Sequence, residues 1–245
     1  MKIIGVIPAR YASSRFPGKP LADICGKPMI EHAYLRAKQV KDFAQVLVAT
    51  DDERIASVCL KKNIDHIVTS PKHKTGTDRV GEVAKKINAD VYVNIQGDEP
   101  LIESETIRQA ILPFIDNARA DIQVTNLMTR INDPIDLINP TIPKVIASKD
   151  GRGIYLTRSA APFPKGSINA SYYKQVCVYG FTPKALKFFC ESPRGAIETI
   201  EDIEILRFIE AGMRVQYIEV DSKTIAVDTP NDLERVICRV RSSSL

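Results

Sequence analysis

Between Pro8 and Leu21 the chain crowds three cations, Arg10, Arg15 and Lys19, beside Ser13, Ser14 and Gly18. Two guanidinium forks, one compact ammonium and backbone N–H groups near a glycine are the donors that an oligophosphate needs. The same residues also read as a solvated basic loop in which Pro17 and Gly18 only turn the chain. The spacing matches neither a Walker loop nor a GxGxxG fingerprint. Two acids offer complementary chemistry. Asp98 closes Asn94-Ile95-Gln96-Gly97-Asp98, with Gly97 permitting close backbone approach, and Asp228 ends the extended run Thr224 to Val227. Two carboxylates at strand ends near a triphosphate loop could hold magnesium, a hard cation that prefers oxygen. Taken singly, Asp98-Glu99-Pro100 reads as a turn and Asp228-Thr229-Pro230 as a helix N-cap. Thr75-Gly76-Thr77-Asp78-Arg79 could turn hydroxyls and N–H groups toward a base or ribose, or simply cap a helix.

These residues must be positioned by regular elements, and the hydrophobic pattern supplies them. Ile3 to Ile7, Val46 to Ala49, Ile64 to Thr69, Val91 to Ile95 and Ile122 to Leu127 are continuous apolar or β-branched runs, as expected of strands covered on both faces. Between them, Met29 to Val40, Glu53 to Lys61, Asp78 to Ile87 and Ser104 to Phe114 repeat apolar residues three and four apart. This alternation predicts an α/β fold with a doubly wound, mostly parallel sheet, so the phosphate loop and Asp98 fall at carboxyl ends of strands, where such sheets bind ligands. Thr50 with Glu53 and Thr229 with Asp232 have the spacing of capping boxes. From about residue 130 prolines interrupt the pattern, with strands expected at Lys144 to Ala147, Ile154 to Thr157 and Val176 to Phe181. We expect an inserted or edge mixed subdomain over 130–212 within a single domain spanning 1–245. A helix from Ile203 to Ala211, a strand from Val215 to Val220 and a helix from Leu233 to Val240 follow.

The bulk composition narrows the function classes. The 245 residues are 44% hydrophobic and 26% charged, ordinary values for a globular chain, and 34 basic against 30 acidic residues leave a net charge of +4, too small and dispersed for nucleic-acid binding. Five cysteines without a CxxC pair suggest neither a disulfide framework nor a zinc site. The apolar start is too short for a signal peptide, and no stretch approaches the roughly 20 apolar residues of a membrane span, so a cytoplasmic location is expected. His32 falls in a helical pattern, His66 in a strand and His73 in the loop before Thr75. No side-chain arrangement suggests a covalent nucleophile.

Ile7-Pro8-Ala9-Arg10, Ser13-Ser14-Arg15, Pro17-Gly18-Lys19-Pro20-Leu21, Gln96-Gly97-Asp98-Glu99-Pro100 and Val227-Asp228-Thr229-Pro230 together resemble the signature of the 3-deoxy-manno-octulosonate (Kdo) cytidylyltransferases. The Ala-Gly-Gly opening of sugar-phosphate nucleotidyltransferases is missing. The resemblance implies a Rossmann-like nucleotidyltransferase that joins CTP to an acidic octulosonate sugar with the help of Mg2+, without nucleic acid or membrane insertion, as a homodimer serving lipopolysaccharide or capsule synthesis. It implies that Pro8, Ala9, Arg10, Ser13, Ser14, Arg15, Lys19, Thr75, Gly76 and Arg79 hold CTP. Asp98 and Asp228 would bind the metal, and together with Arg10 and Lys19 form the catalytic set.

On the sugar side it implies Gln96, Arg158, Gln175, Tyr179 and Glu204. Arg158 would take the sugar carboxylate, and Tyr179 and Glu204 its hydroxyls. Without the resemblance, Tyr179 reads equally as a sheet residue and Glu204 as a solvated helix acid. Two positions depart from the family pattern. Gln175 stands where a histidine is usual, and Ile205 where a glutamine is usual. If both face the sugar, the pocket is retuned toward another acidic sugar, such as an 8-amino octulosonate or a nonulosonate. A regulator that binds nucleotide without turnover is a further alternative, but it would be expected to lack one of the two aspartates.

Overall fold

The structure, a computed structural model, describes residues 1–12, 16–116, 121–166 and 170–243. Its first half winds β1 (Ile3–Ala9), the short hairpin β2 (Asp23–Ile24) and β3 (Lys27–Pro28), α1 (Met29–Lys38), β4 (Gln45–Thr50), α2 (Glu53–Lys61), β5 (His66–Val68), α3 (Gly76–Lys86) and β6 (Val91–Ile95). Next come α4 (Ser104–Gln109), α5 (Leu112–Ile115), β7 (Val124–Arg130), α6 (Pro134–Ile138), β8 (Lys144–Ala147), β9 (Gly153–Thr157) and β10 (Tyr173–Phe181). The chain continues through α7 (Pro183–Glu191), α8 (Ala196–Glu201), α9 (Leu206–Glu210), β11 (Val215–Glu219) and α10 (Pro230–Ser243).

Among the described residues one sheet runs β11-β7-β10-β6-β1-β4-β5. Strands β6, β1, β4 and β5 are parallel, as are β7 and β11, while β10 lies antiparallel between β6 and β7. β8 and β9 extend from the end of β10 as an antiparallel ribbon. The stretch after residue 130 thus contributes both a central strand and this ribbon. The parallel strands look uniformly apolar because their side chains feed two cores. Ile3 and Ile7 of β1, Val46 and Val48 of β4 and Val91, Val93 and Ile95 of β6 face α1 and α4, whereas Ile4, Val6, Leu47, Ala49 and Tyr92 face the layer of α3, α7 and α9.

Several boundaries differ from the sequence reading, each for a local reason. The helix expected over Ser104 to Phe114 is two pieces, because Pro113 has no N–H to offer and its ring would clash with the Gln109 carbonyl. Thr50 and Glu53 form no capping box. Thr50 is the last residue of β4, and Asp52 caps α2 by accepting from the Arg54 N–H at 3.0 Å. The strand expected over Ile122 to Leu127 runs instead from Val124 to Arg130, with buried Asn126 inside it. The Asn126 amide donates to the carbonyls of Val176 and Val178, at 3.0 and 2.8 Å, where the β10 register shifts. The expected box at Thr229 and Asp232 is formed in both directions. Helix α7 shares only the Thr-Pro start, Thr182 accepting from the Ala185 N–H with Pro183 in the first turn and no acid at the third position, and it was hidden among the prolines of this region.

Candidate functional site

β1 delivers Pro8 and Ala9 to the carboxyl edge of the sheet, and Arg10 follows. The loop beyond is closed by a 2.9 Å bond from the Gly18 N–H to the Tyr11 carbonyl. Gly18 has φ 73°, and a Cβ there would lie 3.1 Å from the Tyr11 ring, so both backbone angle and space call for glycine. Tyr11 is in turn covered by Arg54, whose guanidinium carbon sits 3.2 Å from the ring centre while Asp52 holds its nitrogens. A 3₁₀ turn then starts at Lys19, with Pro20 buried, and fixes the ammonium against the sheet.

β6 ends in Gln96-Gly97-Asp98. A Cβ on Gly97 would meet Ile30 and Ile7 at 3.2 and 3.3 Å, so this turn lies directly on α1 and β1. Asp228 reaches the same place from the far end of the chain. The Val227 N–H donates to the Asp98 carbonyl at 2.8 Å, and the Val227 side chain is buried with Ile24, Met29 and Val236. The two carboxylates converge on one cation. Lys19 Nζ is 2.8 Å from Asp98 Oδ2 and 3.5 Å from Asp228 Oδ1. Beside them, burial and the Asp98 charge push the Glu99 carboxyl up to about 7. Two carboxylates facing one point suit magnesium, a hard cation that prefers oxygen. Among the described residues no group of three or more His, Cys, Asp or Glu side chains forms a metal cage. The remaining ligands would therefore be phosphate oxygens and water, the usual complement of a magnesium site.

A cavity of about 270 Å³ opens over these groups. Pro8, Ala9, Arg10, Lys19, Thr75, Gly76, Arg79, Gln96, Asp98, Glu204 and Asp228 all line it. The helix α3 presents Thr75 and Gly76 through a reciprocal capping box between Thr75 and Asp78. Arg79 reaches the wall but is engaged: its guanidinium donates to Thr69 Oγ1 and, at 3.0 Å, to Asp51, tying α3 to the ends of β4 and β5. Glu204 precedes α9 rather than lying within a helix. Its carboxylate accepts the Thr77 N–H at 3.2 Å, and burial raises its pKa.

Three expected sugar contacts stand away from the cavity lining. Arg158 spends its guanidinium on backbone carbonyls, giving Nε to Glu201 at 2.6 Å, Nη1 to Pro140 and Thr141, and Nη2 to Asp202 at 3.1 Å. It braces the wall that Asp202 lines. Gln175 donates to Asn126 Oδ1 at 2.8 Å. Tyr179 stacks on Phe181 with ring centres 6.1 Å apart, and burial beside Cys177 drives its pKa well up. The second departure from the family pattern, Ile205, is 2% exposed in the core. Ser13, Ser14 and Arg15 lie outside the described residues. Conversely, the sequence reading did not assign His73, Lys74 and Asp202, which also line the cavity. The position of His73 beside Thr75 was the available signal.

With this geometry in place, the comparisons with known proteins agree with one another. A family model described as Cytidylyltransferase matches residues 4–218. A 3-deoxy-manno-octulosonate cytidylyltransferase of Geobacter sulfurreducens is 41% identical, covering 98% of this chain and 100% of its own. One of Solibacter usitatus is 40% identical, covering 100% and 96%. A solved CMP:2-keto-3-deoxy-manno-octonic acid synthetase, complexed with CTP, superposes with a TM-score of 0.94 at 38% identity, covering 99% of this chain and 100% of that one. The chain belongs to the cytidylyltransferase family.

Proposed function

We propose that this protein transfers CMP from CTP to the anomeric hydroxyl of Kdo, releasing pyrophosphate. The observation that carries this reading is the convergence of Asp98, Asp228 and Lys19 at the mouth of a cavity whose other wall is the Pro8–Arg10 strand end. Arg10 and Lys19 hold the triphosphate and neutralise charge on the departing pyrophosphate, and Gln96, which lines the same cavity, orients the acceptor sugar. Magnesium, held by Asp98 and Asp228, would supply Lewis acidity for the anomeric hydroxyl and the phosphates. No covalent intermediate is required, so positioning and electrostatics do the catalysis. Lys19→Ala and Arg10→Ala should each weaken CTP binding about tenfold or more, the worth of a charge-assisted hydrogen bond, with little change in sugar affinity. Calorimetry with CTP and with Kdo separately reads both; unchanged CTP affinity in both variants would remove the loop from the site.

A modified octulosonate is the second reading, and it rested on Gln175 and Ile205. Neither side chain lines the cavity: one is engaged with Asn126 and the other is in the core. This favours Kdo. The double change Gln175→His with Ile205→Gln should leave the kcat/KM ratio of Kdo to its 8-amino analogue within about twofold. Its main effect should be a stability loss of about 1–3 kcal/mol from the buried amide. A tenfold shift in the ratio would restore the second reading.

The product would enter lipopolysaccharide or capsule synthesis, from a cytoplasmic enzyme. No helix among the described residues is long and apolar enough to cross a membrane. A homodimer is supported by large apolar side chains exposed within the 130–212 stretch, Ile135, Ile138, Ile154, Phe163, Ile197 and Ile200, which a second copy would cover. Sedimentation should give twice the chain mass, and a monomer at micromolar concentration would refute it.

A further inference from the structure

Glu99 has no part in the chemistry above, although it follows Asp98 directly in the chain and is only 4% exposed. A carboxyl group that deep must be held by polar partners. Its Oε1 accepts the Cys177 N–H at 3.2 Å, and the Cys177 carbonyl in turn accepts the Gln96 N–H at 3.3 Å. Cys177 lies where the β10 register shifts against β7, so its backbone is turned to the segment that carries Asp98. Glu99 thereby fastens that segment to the central strand.

The other oxygen, Oε2, is buried without a hydrogen-bond partner, and the same holds for Thr224 Oγ1. Orphaned polar atoms in an interior call for an explanation. Burial and the Asp98 charge raise the Glu99 pKa, and the groups that oppose them include the Cys177 N–H and the Thr224 hydroxyl, so Thr224 is a neighbour of this carboxyl. Thr224 lies in the segment that joins β11 to α10 and carries Asp228 four residues later. That segment is anchored on either side of it. The Ser222 N–H donates to Thr129 Oγ1 at 3.3 Å, and the Val227 N–H donates to the Asp98 carbonyl at 2.8 Å. Pairing the two orphans satisfies both atoms and ties the residue after Asp98 to the approach to Asp228.

We propose that Glu99 is a positioning residue of the metal site: by bridging the Cys177 N–H and the Thr224 hydroxyl it sets the spacing at which Asp98 and Asp228 take one divalent cation. The proposal rests on the reading of those two aspartates as metal ligands. Its test is calorimetric binding of CTP to the full chain in Mg2+ and in chelator, a readout that needs no turnover. The parent should bind CTP more tightly in Mg2+, and Glu99→Ala should lower that gain about tenfold, as loss of a group supporting a metal ligand does, with the affinity in chelator unchanged. Glu99→Gln keeps an acceptor for Cys177 and a polar partner for Thr224, so it should retain most of the gain. Thr224→Val, which loses only the hydroxyl, should lower it in the same direction, and Thr224→Ser should restore it. A Glu99→Ala protein that melts like the parent and keeps the parent's gain would overturn the proposal, as would equal weakening of CTP with and without Mg2+, the mark of a merely structural role. If Glu99→Ala fails to fold, an undiminished gain in Thr224→Val overturns it too. A parent that gains nothing from Mg2+ would overturn both the proposal and the metal assignment beneath it. Should the parent show the gain yet release no pyrophosphate with Kdo, the functional reading fails while these affinity ratios still decide the role of Glu99.

Discussion

Asp98→Asn and Asp228→Asn should each lower kcat/KM by at least about 100-fold, equivalent to about 2.7 kcal/mol of transition-state stabilisation. A neutral amide keeps the shape of the carboxylate but loses the ionised oxygen that a hard divalent cation requires. The fold should tolerate both changes. The two side chains are 27% and 31% exposed, and their shared contact, Lys19, can turn to solvent or phosphate. The backbone bond that joins the two segments, Val227 N–H to Asp98 C=O, involves neither carboxylate. Thermal melting should therefore move little while steady-state pyrophosphate release collapses. Near-parental kcat/KM in either variant would remove that residue from the metal site.

The largest loss of stability should come from a pair that makes no contact with substrate. Glu198 is fully buried, and both its oxygens accept from Arg207, Nε and Nη2, at 2.7 Å. Arg207 also donates to the Phe189 carbonyl and lies 3.7 Å over that ring, while Arg194 reaches Glu198 from the solvent side. The pair locks α7, α8 and α9 together. Deleting one partner strands the other charge in the interior, at a cost of about 3–5 kcal/mol. Arg207→Met or Glu198→Ala should thus lower Tm by roughly 6–20 °C, given about 2–4 °C per kcal/mol in a chain of this size. The double variant should recover part of the loss, because no orphaned charge remains. Denaturant melts within about 1 kcal/mol of the parent for both single variants would show the pair to be energetically idle. Glu204 lies just before α9, so the single variants should also raise KM for the sugar.

How much of this was legible in the sequence depended on whether one segment or two were needed to define the feature. β1, β4 and β6 could be read from their apolar runs alone, because strands covered on both faces need no partner to explain their composition. With them came the placement of Arg10, Lys19 and Asp98 at strand ends. That Asp98 and Asp228 meet could not be read from spacing, since the bond that joins them is a backbone contact between distant segments. Arg158 shows the converse. A cation near an expected sugar site looks free in sequence, yet four carbonyls supplied by the turns at 140–141 and 201–202 consume its donors. For Glu204 the residues alone left a sugar contact and a solvated helix acid equally open; that its carboxylate is buried and accepts the Thr77 N–H needed the distant segment 75–77. His73 was passed over because a lone histidine in a loop carries no signal by itself, and its partner Glu82 lies on the next helix.

The central claim is the reaction itself, and the most direct measurement is pyrophosphate release by the purified full chain supplied with CTP, Kdo and magnesium. The account predicts one pyrophosphate for each CMP-Kdo formed, release that stops when the divalent cation is chelated, and little release when UTP replaces CTP. A folded protein that binds CTP but forms no CMP-Kdo with magnesium present, or that releases pyrophosphate equally well without the sugar, would contradict it.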